Sequence, residues 1–326
     1  MGDRVMLGSS PAMRKFRAYK PSRKMKLRTF RKKEGAVDRM KSIWRKIPEW
    51  DDDKINCLFA NLSYSPKDVE KFCLVLPEFQ DESEFPYHAG LFLSKLVEHG
   101  SSDSYRLSFR HLERPVSLLT CNGKQLVVDG DVGELAGLSM DSGHLIINGD
   151  ANSYLGRFLC GGRITVNGNV YGEAGYRMES GSIRIKGILE GDVGSGMLGG
   201  HVVIDKNVRG LVGFAKDCDP MEGGLIIVKG NVVGVVGEAL KGGKIIIAGK
   251  FNGNRNYIGP HHAVANGRDT VGSYMGSGLI MICGNVSGVV GYHMKGGLIV
   301  IKGKCKNISA NAEGKIIHEG RIVRGG

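Results

Sequence analysis

The chain has 326 residues, of which 41% are hydrophobic and 24% charged, so it can bury a sizeable core and hold more than one structural unit. Its formal net charge is +12, but residues 1–33 carry twelve Lys or Arg and one acid, which leaves the rest of the chain about neutral. No apolar run of roughly 7 to 15 residues occurs in this basic segment, so a secretory signal peptide is not expected there.

Residues 1–35 form the first predicted segment, a basic arm with little apolar periodicity. We expect this arm to be solvated and to contribute charge rather than core. Its functional alternatives are electrostatic contacts with nucleic acid, anionic lipid or an acidic protein surface. Phe16, Tyr19 and Phe30 lie between the basic residues, an arrangement that suits RNA binding.

Residues 36–115 form the second predicted segment, a small α+β unit. Ser65 followed by a proline is typical of a helix N-terminus, and Gly100 is placed to end a helix over residues 89–97. Residues 105–109 alternate between apolar and polar side chains, as a strand does. A further helix is predicted by apolar residues at helical spacing, which are Val37, Met40, Ile43, Trp44 and Ile47.

Beyond residue 115 the chain repeats an alternating apolar strand, and six of the eight steps between repeats are 19 residues long. A short period of this kind predicts a solenoid in which each repeat forms one coil. The two longer steps contain insertions, which emerge from a solenoid as surface loops. The marker position that ends each repeat is Gly130, Gly149, Gly168, Gly187, Lys206, Gly230, Gly249, Gly284 and Gly303.

Each side of the predicted coil has its own apolar position. The residues two and four before the marker are aliphatic in all nine repeats, which predicts two continuous ladders of core side chains. Apolar positions two, six and ten after the marker predict the other sides. Glycines between them predict close turns, because a Cβ disfavours positive φ and obstructs close approach of backbone. The turn glycines seven residues after the marker are Gly137, Gly156, Gly175, Gly194, Gly213, Gly237 and Gly291.

Together these patterns predict a mainly β protein, a three-sided, right-handed parallel β-helix of about nine coils over residues 116–313. Residues 314–326 are interpreted as a C-terminal tail. The open end of a β-helix exposes apolar core and unpaired strand edges. We therefore expect the unit at residues 36–115 to cap the N-terminal end, with an independent binding role as the alternative.

The glycine phrase also resembles a known family. From Gly230 to Gly249 it has the form Gly-x-x-x-Gly-x-x-Gly, an apolar residue, then Gly-Gly-x-Ile-x-Ile-x-Gly. This pattern resembles the glycine-motif (GXGXG) β-helix family, which comprises the C-terminal domain of glutamate synthase large chains and the β-helical subunit of formylmethanofuran dehydrogenase, with relatives in formyltransferase/hydrolase complexes. The stretch from Gly288 to Gly303, containing Tyr292-His293, looks most like the formylmethanofuran dehydrogenase branch.

The resemblance implies a noncatalytic scaffold subunit that binds catalytic subunits of a hetero-oligomeric enzyme. It places a molybdenum or tungsten cofactor, or flavin and iron–sulfur centres, on those partner subunits and no cofactor on this chain. A stand-alone glutamate-synthase module that bridges glutaminase and synthase chains is the alternative within the family. A nucleic-acid-binding protein that uses the basic arm is the alternative outside it.

The outward position between the two inward residues of each repeat is the place where a β-helix enzyme carries its acids and bases. Here seven of the nine outward residues are apolar and none is a carboxylate or a histidine. We therefore expect no catalytic residues on this ladder and interpret it as a protein-contact stripe. Cover by the N-terminal unit or by a loop is the alternative. The predicted interface residues are Ile227, Ile246, Met281 and Val300.

The longest insertion, between Gly249 and Gly284, adds 16 residues to a repeat. Adjacent histidines on a loop diverge, and a third ligand at suitable spacing is lacking, so a metal site is the weaker interpretation. A loop that contacts a partner and a plain surface excursion are the other two. The candidate contact residues are Tyr257, His261, His262, Arg268 and Asp269.

The chain contains seven cysteines, widely scattered and without a Cys-x-x-Cys pair. Zinc and iron–sulfur sites need closely spaced thiolates, so neither is expected on this chain. An odd number of scattered cysteines predicts free thiols in a reducing cytoplasm. No stretch of the sequence is expected to span a membrane.

Overall fold

The computed structural model describes residues 35–47, 57–59, 62–215, 219–253 and 270–325. These residues form a mainly β protein, a parallel β-solenoid of about 10 turns with helices before its first turn. The predicted parallel β-solenoid is therefore confirmed. The basic arm and the candidate contact residues Tyr257, His261, His262, Arg268 and Asp269 lie outside the described residues.

The helices lie at the places that the sequence predicts. They are α1 (Ala36–Trp44), α2 (Pro66–Cys73), a 3-10 helix (Leu76–Phe79) and α3 (Phe85–His99), which ends at Gly100. At the start of α2 the Asp68 carboxylate accepts hydrogen bonds from the Ser65 N–H at 2.9 Å and from the Ser65 hydroxyl at 2.7 Å. This reciprocal capping satisfies a donor that a helix N-terminus otherwise leaves unpaired.

The helices share one hydrophobic core with the solenoid. The Trp44 ring stacks on Phe79 at 4.7 Å between centroids and lies 5.3 Å from Phe92. The same cluster of buried residues continues through the coils as far as Ile316. Gly90 of α3 comes so close to the first coil that a Cβ there would lie 1.6 Å from the backbone oxygen of Ser117. The helices therefore pack on the first coil, which is the place where a cap is required.

Two sheets form two sides of the solenoid. Sheet A has the order β1 (Ser104–Ser108), β2 (Gln125–Asp129), β3 (His144–Ile147), β4 (Arg163–Val166), β6 (Ser182–Ile185), β8 (His201–Ile204), β10 (Leu225–Val228), β12 (Lys244–Ile247), β15 (Leu279–Ile282), β17 (Leu298–Ile301), β19 (Lys315–His318) and β20 (Arg321–Arg324). Sheet B contains β5 (Val170–Tyr171), β7 (Leu189–Glu190), β9 (Val208–Val212), β11 (Val232–Val236), β13 (Phe251–Asn252), β14 (Thr270–Val271), β16 (Val286–Val290) and β18 (Cys305–Ile308). All pairings among these strands are parallel except that of β19 with β20.

Sheet A extends beyond both ends of residues 116–313. Strand β1 pairs in register with β2, so residues 104–108 belong to the sheet although the sequence placed them in the N-terminal unit. Strands β19 and β20 extend it at the other end, through residues that were interpreted as a tail. Neither extension contains the marker glycine, which is why the repeat pattern does not detect it.

The inward ladders are buried as predicted. The eighteen aliphatic residues two and four positions before the markers are each at most 1% exposed. Parallel pairing in register stacks them, as in Ile226 against Ile245 and Ile245 against Ile280. Each such side chain contributes about 1.5–3 kcal/mol by leaving water. Adjacent coils therefore stabilise one another through a continuous apolar column.

Two kinds of glycine allow the coils to stack. The seven predicted turn glycines all have φ between 60° and 74°, in the left-handed region that favours glycine. A Cβ on Gly237 would also lie 2.4 Å from the Ile280 Cδ1 of the next coil. The marker Gly249 needs its hydrogen for close approach, because a Cβ there would lie 2.3 Å from the Gly230 oxygen.

The third side of the coil carries no strand among the described residues. Its Met178 and Met197 are buried, so the predicted apolar position is confirmed, but the chain here makes turns. One position in these turns repeatedly adopts a left-handed conformation without glycine, as at Phe158 and Arg177 with φ of 54° and 50°. The solenoid therefore has two sheet sides and one turn side.

A ladder of Asn and Asp residues supports the corner after each sheet A strand. The Asn169 oxygen accepts the Ile188 N–H at 3.0 Å, and the Asn231 oxygen accepts the Lys250 N–H at 2.8 Å. Each side chain thus pairs a backbone donor one coil further on. The ladder satisfies N–H groups that the corner removes from the sheet.

Candidate protein-contact surface

The outer face of sheet A presents three columns of side chains, because successive residues of a strand point to opposite faces. The first column comes from the first residue of each strand, the middle column from the third, and the last column from the residue that follows the strand or ends β2. In the strands from β2 to β17 the first and third residues are partly or fully exposed, and the second and fourth are buried.

The predicted interface residues lie next to one another in the middle column. Ile227 pairs with Ile246, Ile246 with Met281, and Met281 with Val300. Val300 then pairs with Ile317 of β19. Each is partly exposed, because the stacked neighbours above and below cover part of its surface. The structure therefore places the four residues together and adds Ile317, which the sequence left in the tail.

The first column widens this stripe into a patch. Leu225, Leu279 and Leu298 are partly exposed on the same face, beside Ile227, Met281 and Val300. On the edge strand β20, Ile322 is 56% exposed and lies opposite Ile317. Six strands at about 4.8 Å spacing make the patch about 24 Å tall. The C-terminal patch consists of Leu225, Ile227, Ile246, Leu279, Met281, Leu298, Val300, Ile317 and Ile322.

The N-terminal half of the same face is polar. Arg106 makes two hydrogen bonds to the Asp129 carboxylate, at 2.6 and 3.0 Å, and Asn148 donates to it at 2.8 Å. The hydrogen bond from Asn148, followed by those from Arg106, lowers the pKa of Asp129. Arg184 and Lys229 hold Asp205 in the same way, with Nη2 and Nζ at 3.0 and 2.8 Å from its oxygens. Polar side chains here are paired along the ladder.

A groove of about 680 Å³ runs along the first column of the N-terminal half. It is lined by His144, Arg163, Ser182 and His201 and by the turn glycines before them. His144 Nε2 lies 3.0 Å from the Thr165 hydroxyl, and burial, together with Arg163, lowers the pKa of His144. None of these described lining residues is a carboxylate, so they do not form an acid and base pair. The sequence interpretation missed them because it considered only the middle column.

A second cavity, of about 530 Å³, lies at the corner between the two sheets near the first coils. Its lining includes Asp131, Asp150 and the exposed Tyr171. The two carboxylates belong to the corner ladder, because Asp131 accepts the Asp150 N–H at 2.8 Å and Asp150 accepts the Asn169 N–H at 2.7 Å. These groups support the backbone, which accounts for their presence at the corner.

Glu238 is the one buried carboxyl group among the described residues, at 3% exposed. Its Oε1 has no hydrogen-bond partner, and burial raises its pKa to about 7. The hydroxyls of Thr270 and Ser273, in the next coil, are also buried without a partner. The corresponding positions in other coils include Leu138, Tyr176 and Phe214, so the sequence carried no signal for this polar group.

The described residues contain no group of three or more His, Cys, Asp or Glu that could hold a metal ion. Within the same ranges, the cysteines Cys57, Cys73, Cys121, Cys160, Cys283 and Cys305 are free thiols. None of the helices in these ranges is both long enough and apolar enough to cross a membrane.

The fold thus defines the class of protein as a parallel β-solenoid with a two-part outer face. The chain matches no protein-family model and no curated protein.

Proposed function

We propose that the protein is a noncatalytic scaffold subunit of a multi-subunit enzyme, and that the outer face of sheet A holds its catalytic partner chains. The observation that carries this proposal is the C-terminal patch, where aliphatic side chains of five consecutive coils and the edge strand β20 form one surface. A contiguous apolar patch of a few hundred Å² on a soluble fold marks a contact site.

The geometry of the patch suits protein contact better than chemistry. Its residues carry no group that transfers a proton or attacks a carbonyl, and acid–base catalysis needs such groups within hydrogen-bond reach of a substrate. The residues stand on a continuous sheet whose register is set by the inward ladders, so the surface is preorganised. A preorganised surface loses little conformational entropy when a partner binds.

The glycine phrase supports one kind of complex. Its resemblance to the β-helical subunit of formylmethanofuran dehydrogenase and to the formyltransferase/hydrolase relatives favours a complex that handles C1 units, with molybdenum or tungsten and hydrolase chemistry on partner subunits. A stand-alone glutamate synthase module, with flavin and iron–sulfur centres on its partners, is the alternative. Free thiols throughout the described residues support a reducing compartment, and we propose the cytoplasm.

Purification of the tagged protein from its native cells tests this proposal. We expect catalytic chains to co-elute, and their identification by mass decides between the two complexes. The isolated chain should show no formyl-transfer, glutamine-hydrolysing or polysaccharide-cleaving turnover. Turnover by the pure, partner-free chain, or elution without any partner chain, would overturn the proposal.

A pair of matched double variants tests the surface. Ile246→Lys/Val300→Lys places two charges in the C-terminal patch, and Val127→Lys/Ile146→Lys places them in the same column of the N-terminal half. All four positions are partly exposed, so melting temperatures should remain close to that of the unaltered protein. We expect only the first variant to lose its partners on size exclusion; retention of complex size by both would show that the patch is not the interface.

A further inference from the structure

The charge of the solenoid is unevenly distributed along its length. Residues 104–224 contain 12 Lys or Arg and 14 Asp or Glu, whereas residues 225–326 contain 13 Lys or Arg and 4 Asp or Glu. One of those four acids, Glu238, is buried and does not contribute to the surface. The half that carries the apolar patch is therefore also the basic half.

The cations of this half border the C-terminal patch on the same face. Lys244 and Lys315 are exposed in the first column, where they pair in register with Leu279 and Leu298. Lys302 is exposed in the last column, directly after β17. Among the described residues, no ion-pair partner lies within reach of these three. In the polar half, by contrast, Arg106 and Arg184 are held by Asp129 and Asp205.

An unpaired cation beside an apolar surface keeps its full charge available to a partner. Complementary charge at the rim of an interface accelerates encounter and sets orientation, while the desolvated apolar centre supplies most of the affinity. The patch has the arrangement of such an interface, with an aliphatic centre and a basic rim. Its counterpart must therefore be apolar at the centre and acidic at the rim.

We infer that the C-terminal patch binds a protein surface of this kind, an acidic partner subunit that covers Leu279, Met281 and Val300 and pairs with Lys244, Lys302 and Lys315. This inference rests on the proposed scaffold function and specifies the chemistry of the partner. The nine residues of the patch include no aromatic side chain, whereas single-stranded nucleic acid binds where bases stack on aromatic rings. Two copies related by a two-fold axis would bring one basic rim against the other.

Charge reversal at the rim tests the inference, with a matched control in the polar half. Lys302→Glu/Lys315→Glu reverses one cation in the last column and one in the first. Arg163→Glu/Lys186→Glu makes the same change in the same two columns of the N-terminal half. Binding of the purified co-eluting chain to the full-length protein is measured by calorimetry at 50 and 250 mM NaCl.

At 50 mM NaCl we expect the first variant to bind at least about tenfold more weakly, and the control to stay within about twofold. High salt should reduce the difference, because it screens exposed charges. Equal effects of the two variants, or unchanged affinity in both, would overturn the acidic-partner inference. The scaffold proposal would survive that result, because it depends on co-elution and on the effect of Ile246→Lys/Val300→Lys.

If no chain co-elutes, two synthetic amphipathic helical peptides decide the inference separately. They share one leucine face and carry Glu or Lys at the flanking positions. We expect the Glu-flanked peptide to bind the full-length protein at least about tenfold more tightly by fluorescence anisotropy, and Lys302→Glu/Lys315→Glu to abolish the preference. Equal binding of both peptides would overturn it. So would dimerisation through the patch, or tight binding of a 20-nucleotide RNA that the rim variant abolishes.

Discussion

The two halves of sheet A share their inward side chains and differ in their outward ones. Leu145 and Ile147 in β3 correspond to Ile245 and Ile247 in β12, and all four are fully buried. Outward, β3 carries His144 before Ile146 and is followed by Asn148, whereas β12 carries Lys244 before Ile246 and is followed by an alanine. The repeat therefore specifies the interior of every coil and leaves the outer face free to differ.

Stacking has opposite consequences for the two outer surfaces. In the N-terminal half it brings hydrogen-bonding groups one coil apart, so that Asn148 donates to Asp129 and Asn167 donates to Asn148. In the C-terminal half it aligns aliphatic groups, which cover one another only in part. The first surface is satisfied in water, whereas the second gains stability from a partner that covers it.

The strongest test of this comparison is truncation at inward and outward positions. Ile245→Ala should reduce the free energy of unfolding by about 3–4 kcal/mol, because it removes buried methylenes and leaves a cavity between coils. Leu145→Ala, at the matching position of the polar half, should cost about the same, and the outward Ile246→Ala only about 1 kcal/mol. Urea denaturation measures all three. Similar losses for Ile245→Ala and Ile246→Ala would contradict the assignment of faces.

The next test concerns the buried carboxyl group of the basic half. Burial raises the pKa of Glu238 to about 7, against about 4.5 when it is exposed in the unfolded chain. The unfolded state therefore ionises first, and the stability of the protein falls as pH rises from about 4.5 to 7, then levels off. Relative to Glu238→Gln, the unaltered protein should lose roughly 2 kcal/mol between pH 5 and pH 8.

Denaturant titrations at several pH values measure the difference for Glu238→Gln. Glu222→Gln, which changes an exposed carboxyl in the preceding coil, controls for the loss of one charge. A constant difference between Glu238→Gln and the unaltered protein across this pH range would show that the carboxyl is hydrated in the folded state.

The corner ladder should behave alike in both halves. Asn169→Ala leaves the Ile188 N–H without its acceptor, and Asn231→Ala does the same to the Lys250 N–H. Each substitution should cost about 1 kcal/mol, the usual net value of one hydrogen bond. Thermal unfolding of the two variants checks this. A much larger loss in one half would mean that the ladder is not a common element of the coils.

The smallest expected effect is at the paired carboxylate of the polar half. Hydrogen bonds from Asn148 and Arg106 lower the pKa of Asp129, so its contribution to stability is present at neutral pH and is lost as pH falls through that lowered value. Asp129→Asn should cost less than about 1 kcal/mol at pH 7, because solvent screens this partly exposed pair, and nothing at pH 2. This acid-side loss is opposite in direction to the effect at Glu238. A cost that persists unchanged at pH 2 would assign the role of Asp129 to packing.

Much of the candidate site was accessible from the sequence, but not its extent. Ile227, Ile246, Met281 and Val300 stand at one position of a repeat, so their common face follows from alternation and period alone. Leu279 and Leu298 were missed because their exposure depends on the absence of cover from another part of the chain. Ile317 and Ile322 were missed because their strands join the sheet without the repeat's glycine.

The sequence by itself determined the parallel β-solenoid, the inward ladders and the turn glycines. It could do so because stacked coils convert a one-dimensional period into neighbours in space, and each coil needs only local chain geometry and contact with the next. The tertiary structure decided where sheet A begins and ends, which outward residues form one patch with its basic rim, and that Glu238 is buried without a partner. Those properties depend on which residues pack across a coil from elsewhere in the chain, and a repeat pattern does not specify such contacts.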